Sequence, residues 1–135
     1  MDAEVLLAAV YRRERNPKPA IPLLEDLVRR YPRNHIFRFE MVQMFADAGD
    51  KPRALGVVDE IERLYRSGAP GYSRVPLEKI YFARGVVQFW YWDLDAAIDN
   101  LRRVTVKAAD LDLNTGVYAW LRLGQSCDLK GRRAE

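Results

Sequence analysis

Cysteine and histidine occur once each, as Cys127 and His35, and both scarcities exclude chemistry. A single cysteine forms no internal disulfide and builds no zinc site. A single histidine leaves metal ligation and histidine-based acid–base catalysis poorly supplied. Eight glycines and seven prolines in 135 residues are too few for a linker or a collagen-like chain. No apolar run approaches the roughly 18 residues that suggest a membrane span. Charge of one sign is also lacking: 22 Lys+Arg stand against 19 Asp+Glu, a formal net charge of +3. The signs alternate, as in Arg12-Arg13-Glu14-Arg15 and Asp59-Glu60-Ile61-Glu62-Arg63. Such mixing reads as a solvated, salt-bridged face rather than a footprint for a polyanion. The densest basic spots, Arg29-Arg30 with Arg33 and Lys130 with Arg132-Arg133, are short, so nucleic acid is disfavoured as a partner. The opening Met1-Asp2-Ala3-Glu4 lacks the basic-then-apolar run of a secretory signal. A cytoplasmic setting is the default expectation, left open if the chain is an excerpt.

What is present is an internal period. Leu7, Ala8 and Tyr11 are followed 34 residues later by Met41, Val42 and Phe45. Ala20, Leu24 and Leu27 are followed 34 residues later by Ala54, Val58 and Ile61, and a further 43 residues on, 34 plus nine, by Ala97, Leu101 and Val104. A fourth opening reads Trp120-x-x-Leu123-Gly124-x-x-Cys127, then Gly131. Spacings of three and four dominate, as in Phe37, Met41, Met44, Phe45, so each unit reads as two helices. The expected helices are roughly 3–15, 19–31, 35–48, 51–66, 75–91, 94–108 and 113–129, with bounds uncertain by about 2–4 residues. Asn16, Asp50 and Asp93 read as N-caps, Gly49 as a left-handed helix end, and Lys130-Gly131 as a turn. Ala20, Ala54, Ala97, Gly85 and Gly124 are small where two helices should approach closely. The insertions fall at Ser67–Ser73 and at Lys107–Asn114.

A 34-residue helix–turn–helix period with this pattern resembles the tetratricopeptide repeat, whose signature is Trp, Leu-Gly and Tyr on a first helix, then Ala, a large apolar residue and Pro on a second. Leu7, Tyr11, Ala20, Leu24 and Pro32 carry it in the first unit; Trp120, Leu123, Gly124 and Gly131 carry it in the fourth. The third unit departs, with Arg84, Gln88 and Trp92 in the Leu, Tyr and helix-ending Gly slots. The resemblance implies an all-α, right-handed solenoid of about 3.5 hairpins in one repeat domain spanning 1–135. Its units are about 1–33, 34–67, 77–109 and 116–135, the last incomplete. The fourth second helix would place its Ala at residue 136, so a piece of a longer array, with an exposed apolar edge prone to self-association, is the expectation.

The resemblance also implies that first helices line a concave binding face. The face-forming slots fall on Val5, Ala9 and Arg12; on Ile36, Phe39 and Gln43; on Lys79, Phe82, Val86, Phe89 and Trp90; and on Tyr118, Leu121, Gln125 and Asp128. This apolar, aromatic set implies a protein-interaction scaffold whose partner is a peptide or a helix. Two alternatives stay open. One is a structural or oligomerisation segment whose apolar face packs on its own chain or a second copy. The other is an RNA-binding helical array with Arg29, Arg30, Arg33, Arg102 and Arg103 as contacts. A chaperone-tail clamp of Lys, Asn and Arg is disfavoured, because the clamp slots hold Val5, Ala9, Glu40, Lys79 and Ala83, of which Lys79 alone fits. In the run Phe89-Trp90-Tyr91-Trp92, Trp90 reads as groove-facing and Trp92 as packed at the hairpin turn.

No catalysis, cofactor or metal is expected. Asp95 and Asp99 form an ordinary i,i+4 pair, and no calcium loop is recognisable. Cys127 reads as a small buried hydrophobe and His35 as exposed.

Overall fold

The computed structural model describes residues 3–134, with side chains for 3–131. It is all-helical. Seven α-helices are described: α1 (Ala3–Arg13), α2 (Pro17–Arg30), α3 (His35–Asp47), α4 (Lys51–Arg66), α5 (Leu77–Trp90), α6 (Leu94–Thr105) and α7 (Leu113–Ala134). A 3₁₀ turn, Ala108–Asp110, precedes α7. The chain packs as two compact units that meet in sequence between Val75 and Pro76.

The recurring small residues govern how helices meet. Ala20, Ala54 and Ala97 are each completely buried, as are Val58 and Leu101 four residues after two of them. In the first unit, Ala20, Leu24 and Leu27 of α2 close on Ala8 of α1 and on Phe37 and Met44 of α3. In the second unit, Ala97, Ile98 and Leu101 of α6 close on Leu123 of α7. Gly85 shows how tightly α5 and α6 meet. A Cβ placed there would lie 2.9 Å from Leu101 Cγ and 3.3 Å from Asn100 Cβ. Behind it, Asn100 Nδ2 donates to Gln88 Oε1 at 2.8 Å and to the Ala96 carbonyl at 3.1 Å, so this buried polar pair satisfies itself.

The turns between paired helices recur as well. The amides of Asn16, Asp50 and Asp93 each donate, at 2.9 Å, to the carbonyl five residues earlier, on Tyr11, Phe45 and Gln88. Before each sits a left-handed residue: Arg15 (φ +55°), Gly49 (φ +80°) and Trp92 (φ +64°). These positions are 34 and 43 residues apart, the interval of the sequence period. The closure is the C-terminal motif in which a left-handed residue satisfies the last carbonyls of a helix.

Several expectations are corrected. Asp50 does cap α4, accepting from the Arg53 amide at 3.1 Å, but Asn16 and Asp93 make no side-chain cap bond. The backbone closure just described is present in all three turns, with or without the side-chain bond. Trp92 is not packed at the turn; it is 56% exposed, and the position supplies a left-handed backbone rather than a buried ring. Gly124 has no atom within 4 Å of a Cβ built on it, so no helix presses there. Lys130-Gly131 is not a turn, because α7 runs through both. The expectation at Arg132-Arg133 concerns side chains outside the described set, and Met1, Asp2 and Glu135 also lie outside the described residues.

Gly85→Ala should lose about 1–3 kcal/mol in urea unfolding, because the methyl overpacks against Leu101. Trp92→Gly should gain about 1 kcal/mol, because glycine takes the left-handed conformation without penalty and the lost ring is largely exposed. Unchanged stability in both variants would remove this account of the hairpin.

Candidate interaction surface

In the first unit, the candidate face lies on α3. Ile36 is exposed, and Phe39 is half-buried with its ring edge-on to His35, 6.1 Å between centroids. Gln43 Nε2 donates to Asp47 Oδ1 at 3.0 Å. The same oxygen receives Nη2 of Arg15, in the turn after α1, at 3.1 Å, and Arg12 of α1 pairs with Glu40. Beside the apolar slots, Arg12 of α1 and Arg15 of the following turn thus each make an ion pair with α3. The expectation had placed Arg12 there but not its partner. Burial pushes the Glu40 carboxyl above its usual range, and the adjacent Arg12 only partly offsets this. Asp47 Oδ2 is buried with no hydrogen-bond partner.

His35 is half-buried rather than exposed, with Nδ1 3.2 Å from the Gly71 carbonyl. The cause is the inserted loop. Gly71 takes φ +85° and lies so close to the backbone of Arg33 that a Cβ would sit 1.8 Å from its carbonyl oxygen. Next to it Tyr72 is buried and accepts from Arg38 Nε at 2.7 Å. Tyr31, Pro32, Arg33, Asn34, His35 and Gly71 line an open cleft there that includes none of the candidate face residues.

In the second unit, Phe82, Val86 and Phe89 of α5 are half-buried and pack on Ala97, Ile98, Leu101 and Leu123. One side of each belongs to the core. Lys79 is exposed, and Trp90, Tyr118 and Leu121 keep 36%, 49% and 45% of their surface open. Arg122 of α7 lies over the Phe89 ring, 5.3 Å from its centroid, and donates from Nη1 to Gln125 Oε1 at 2.9 Å. It joins two candidates, Phe89 and Gln125, across two helices. Sequence reading missed Arg122, since nothing in its own helix marks it out.

Cys127 is exposed rather than buried. Its slot is filled by Tyr11, Phe45 and Gln88 in the earlier hairpins, but among the described residues nothing buries it here. Asp95 and Asp99 are both exposed, and Asp95 pairs with Lys130. Among the basic residues singled out, Arg29 and Arg30 both pair with Asp26, Arg30 also with Glu4, and Arg103 lies over Tyr81. Among the described residues no group of three His, Cys, Asp or Glu could hold a metal ion, and no helix is long and apolar enough to cross a membrane.

Comparison with protein families, curated proteins and solved structures yields no match.

Glu40 gives this face a pH signature. A carboxyl whose folded pKa is raised contributes stability below its unfolded value and loses that contribution as pH rises through the folded value. Glu40→Gln does not titrate, so its melting temperature relative to the native chain should increase between about pH 4 and pH 7. A difference that shrinks over that window would mean that the Arg12 attraction outweighs burial.

Proposed function

We propose that the chain is a protein-interaction module: an α-solenoid of tetratricopeptide-like hairpins that binds an apolar peptide or helix through first-helix faces and performs no catalysis. The observation that carries this reading is the α5–α7 surface of the second unit. Phe82, Val86 and Phe89 are anchored on one side by the core, while Trp90, Tyr118 and Leu121 stay open beside them. A preformed apolar floor with exposed aromatic edges is the arrangement in which a few anchors dominate binding energy. Arg122, stacked on Phe89 and tied to Gln125, supplies directional donors next to that floor. In the first unit, Ile36 and Phe39 beside Gln43 offer a smaller patch of the same kind.

The packing of Phe82, Val86 and Phe89 also supports a second reading, in which the face is structural. The two separate by substitution at different depths. Peptides selected from a random library on the native chain should bind at least tenfold more weakly to Trp90→Ala and Leu121→Ala, corresponding to about 1.4 kcal/mol or more, with unfolding midpoints unchanged. Phe82→Ala should instead cost roughly 2–4 kcal/mol of stability. If Trp90→Ala and Leu121→Ala melt the fold while peptide affinity is unaffected, the structural reading stands. Affinity should also survive added salt; a steep fall would point to a polyanion such as RNA.

A further inference from the structure

A different face of α7 carries a second surface. Leu113, Val117, Trp120, Gly124, Cys127 and Gly131 follow one another at alternating intervals of four and three, which places them on one side of the helix. All six are exposed, with Leu113 at 79% and Trp120 at 58%. None is charged, in a chain with 30% charged residues. The core-facing residues of the same helix, Gly116, Ala119, Leu123 and Ser126, form a separate row. An uncharged exposed stripe that carries Leu113, Val117 and Trp120 marks a contact surface.

The earlier hairpins show what this face does when covered. The slots of Gly124 and Cys127 correspond to Ala8 and Tyr11, Val42 and Phe45, and Gly85 and Gln88. There the first residue of each pair is buried beneath a second helix, as Leu101 presses on Gly85; at Gly124 nothing lies within 4 Å. The α7 stripe is thus a helix-binding face of the same construction, open among the described residues.

Its own sequence identifies the occupant. Large residues fill its first half (Leu113, Val117, Trp120) and small ones its second (Gly124, Cys127, Gly131). Turned end for end about Arg122, the stripe complements itself: Leu113 meets Gly131, Val117 meets Cys127, and Trp120 meets Gly124. We propose that α7 pairs antiparallel with α7 of a second copy, Trp120 of each protomer filling the notch at the partner's Gly124. A twofold axis requires this reciprocity, since each contact i to j is matched by j to i. The small residues let the two helices approach, and the alternating spacing of four and three gives a continuous seam.

The register makes the test specific. The 135-residue chain should show a monomer–dimer equilibrium in sedimentation. Gly124→Leu should weaken it at least tenfold while circular dichroism and unfolding midpoint hold, because a Cβ at this exposed position has no atom of another element within 4 Å. Val117→Cys should form disulfide-linked dimers under a mild oxidant by reaching the partner's Cys127. The native chain and Val117→Cys with Cys127→Ser should not, because like positions stand five residues either side of the axis, about 15 Å apart. Three results would overturn the proposal: a monomer up to about 0.5 mM, a dimer untouched by Gly124→Leu, or native protein cross-linking through Cys127 as readily as Val117→Cys does.

Discussion

Close approach between a first and a second helix is the constraint on which the rest of this structure depends. Ala20, Ala54 and Ala97 are buried completely, and at Gly85 even a methyl group would collide with Leu101. With the small residue in place, the large apolar side chains that follow it drop into contact and are buried. The hydrogen-bonded turn before each second helix delivers that helix in the required phase. It does so even where the sequence puts Arg15 or Trp92 in a left-handed conformation that glycine would take more easily. That the backbone closure persists with three different residue types shows that packing of the paired helices, rather than local preference, determines the turn.

The same constraint sorts the apolar surface by role. Positions that face a second helix are core in three hairpins and open on α7, so their chemistry is that of an interior brought to the surface. Positions such as Phe82, Val86 and Phe89 lie at the margin, one side packed and the other open. The proposed peptide-binding surface and the proposed α7 seam therefore differ in kind. The first uses residues whose positions are already fixed by the core, and the second uses residues that await a helix. The ion pairs that Arg12 and Arg15 make with α3 add charge beside the first kind, at a cost visible in the raised pKa of Glu40 and the unpartnered oxygen of Asp47.

Most of the helical layout was legible in the sequence, because it follows from period and spacing alone. The recurrence of Ala20, Leu24, Leu27 located three second helices, and Gly85 was recognised as a close-approach site from its slot. What escaped was anything decided by the presence or absence of a neighbour. Gly124 and Cys127 occupy slots that are buried elsewhere, and sequence could not show that they stay uncovered. Gly131 reads as a helix end, but α7 continues through it. His35 is held by the carbonyl of Gly71, 36 residues on, in a loop that spacing treats as an insertion. Arg122 joins Phe89 to Gln125 only because α5 and α7 are brought together. The binding-face positions were named from the family resemblance, and the packing of Phe82, Val86 and Phe89 adds that part of this face also serves the core.

The central claim is that one helix-binding face recurs through the chain, closed in the earlier hairpins and open on α7. Cys127, the single cysteine, stands in that face and reports on it directly. The measurement is its rate of alkylation in native protein over a range of protein concentrations. The account predicts a rate near that of an unstructured thiol in dilute solution, falling as concentration rises and the face becomes covered. A slow rate in dilute solution that only denaturant accelerates would contradict it, since the face would then already be closed within a single chain.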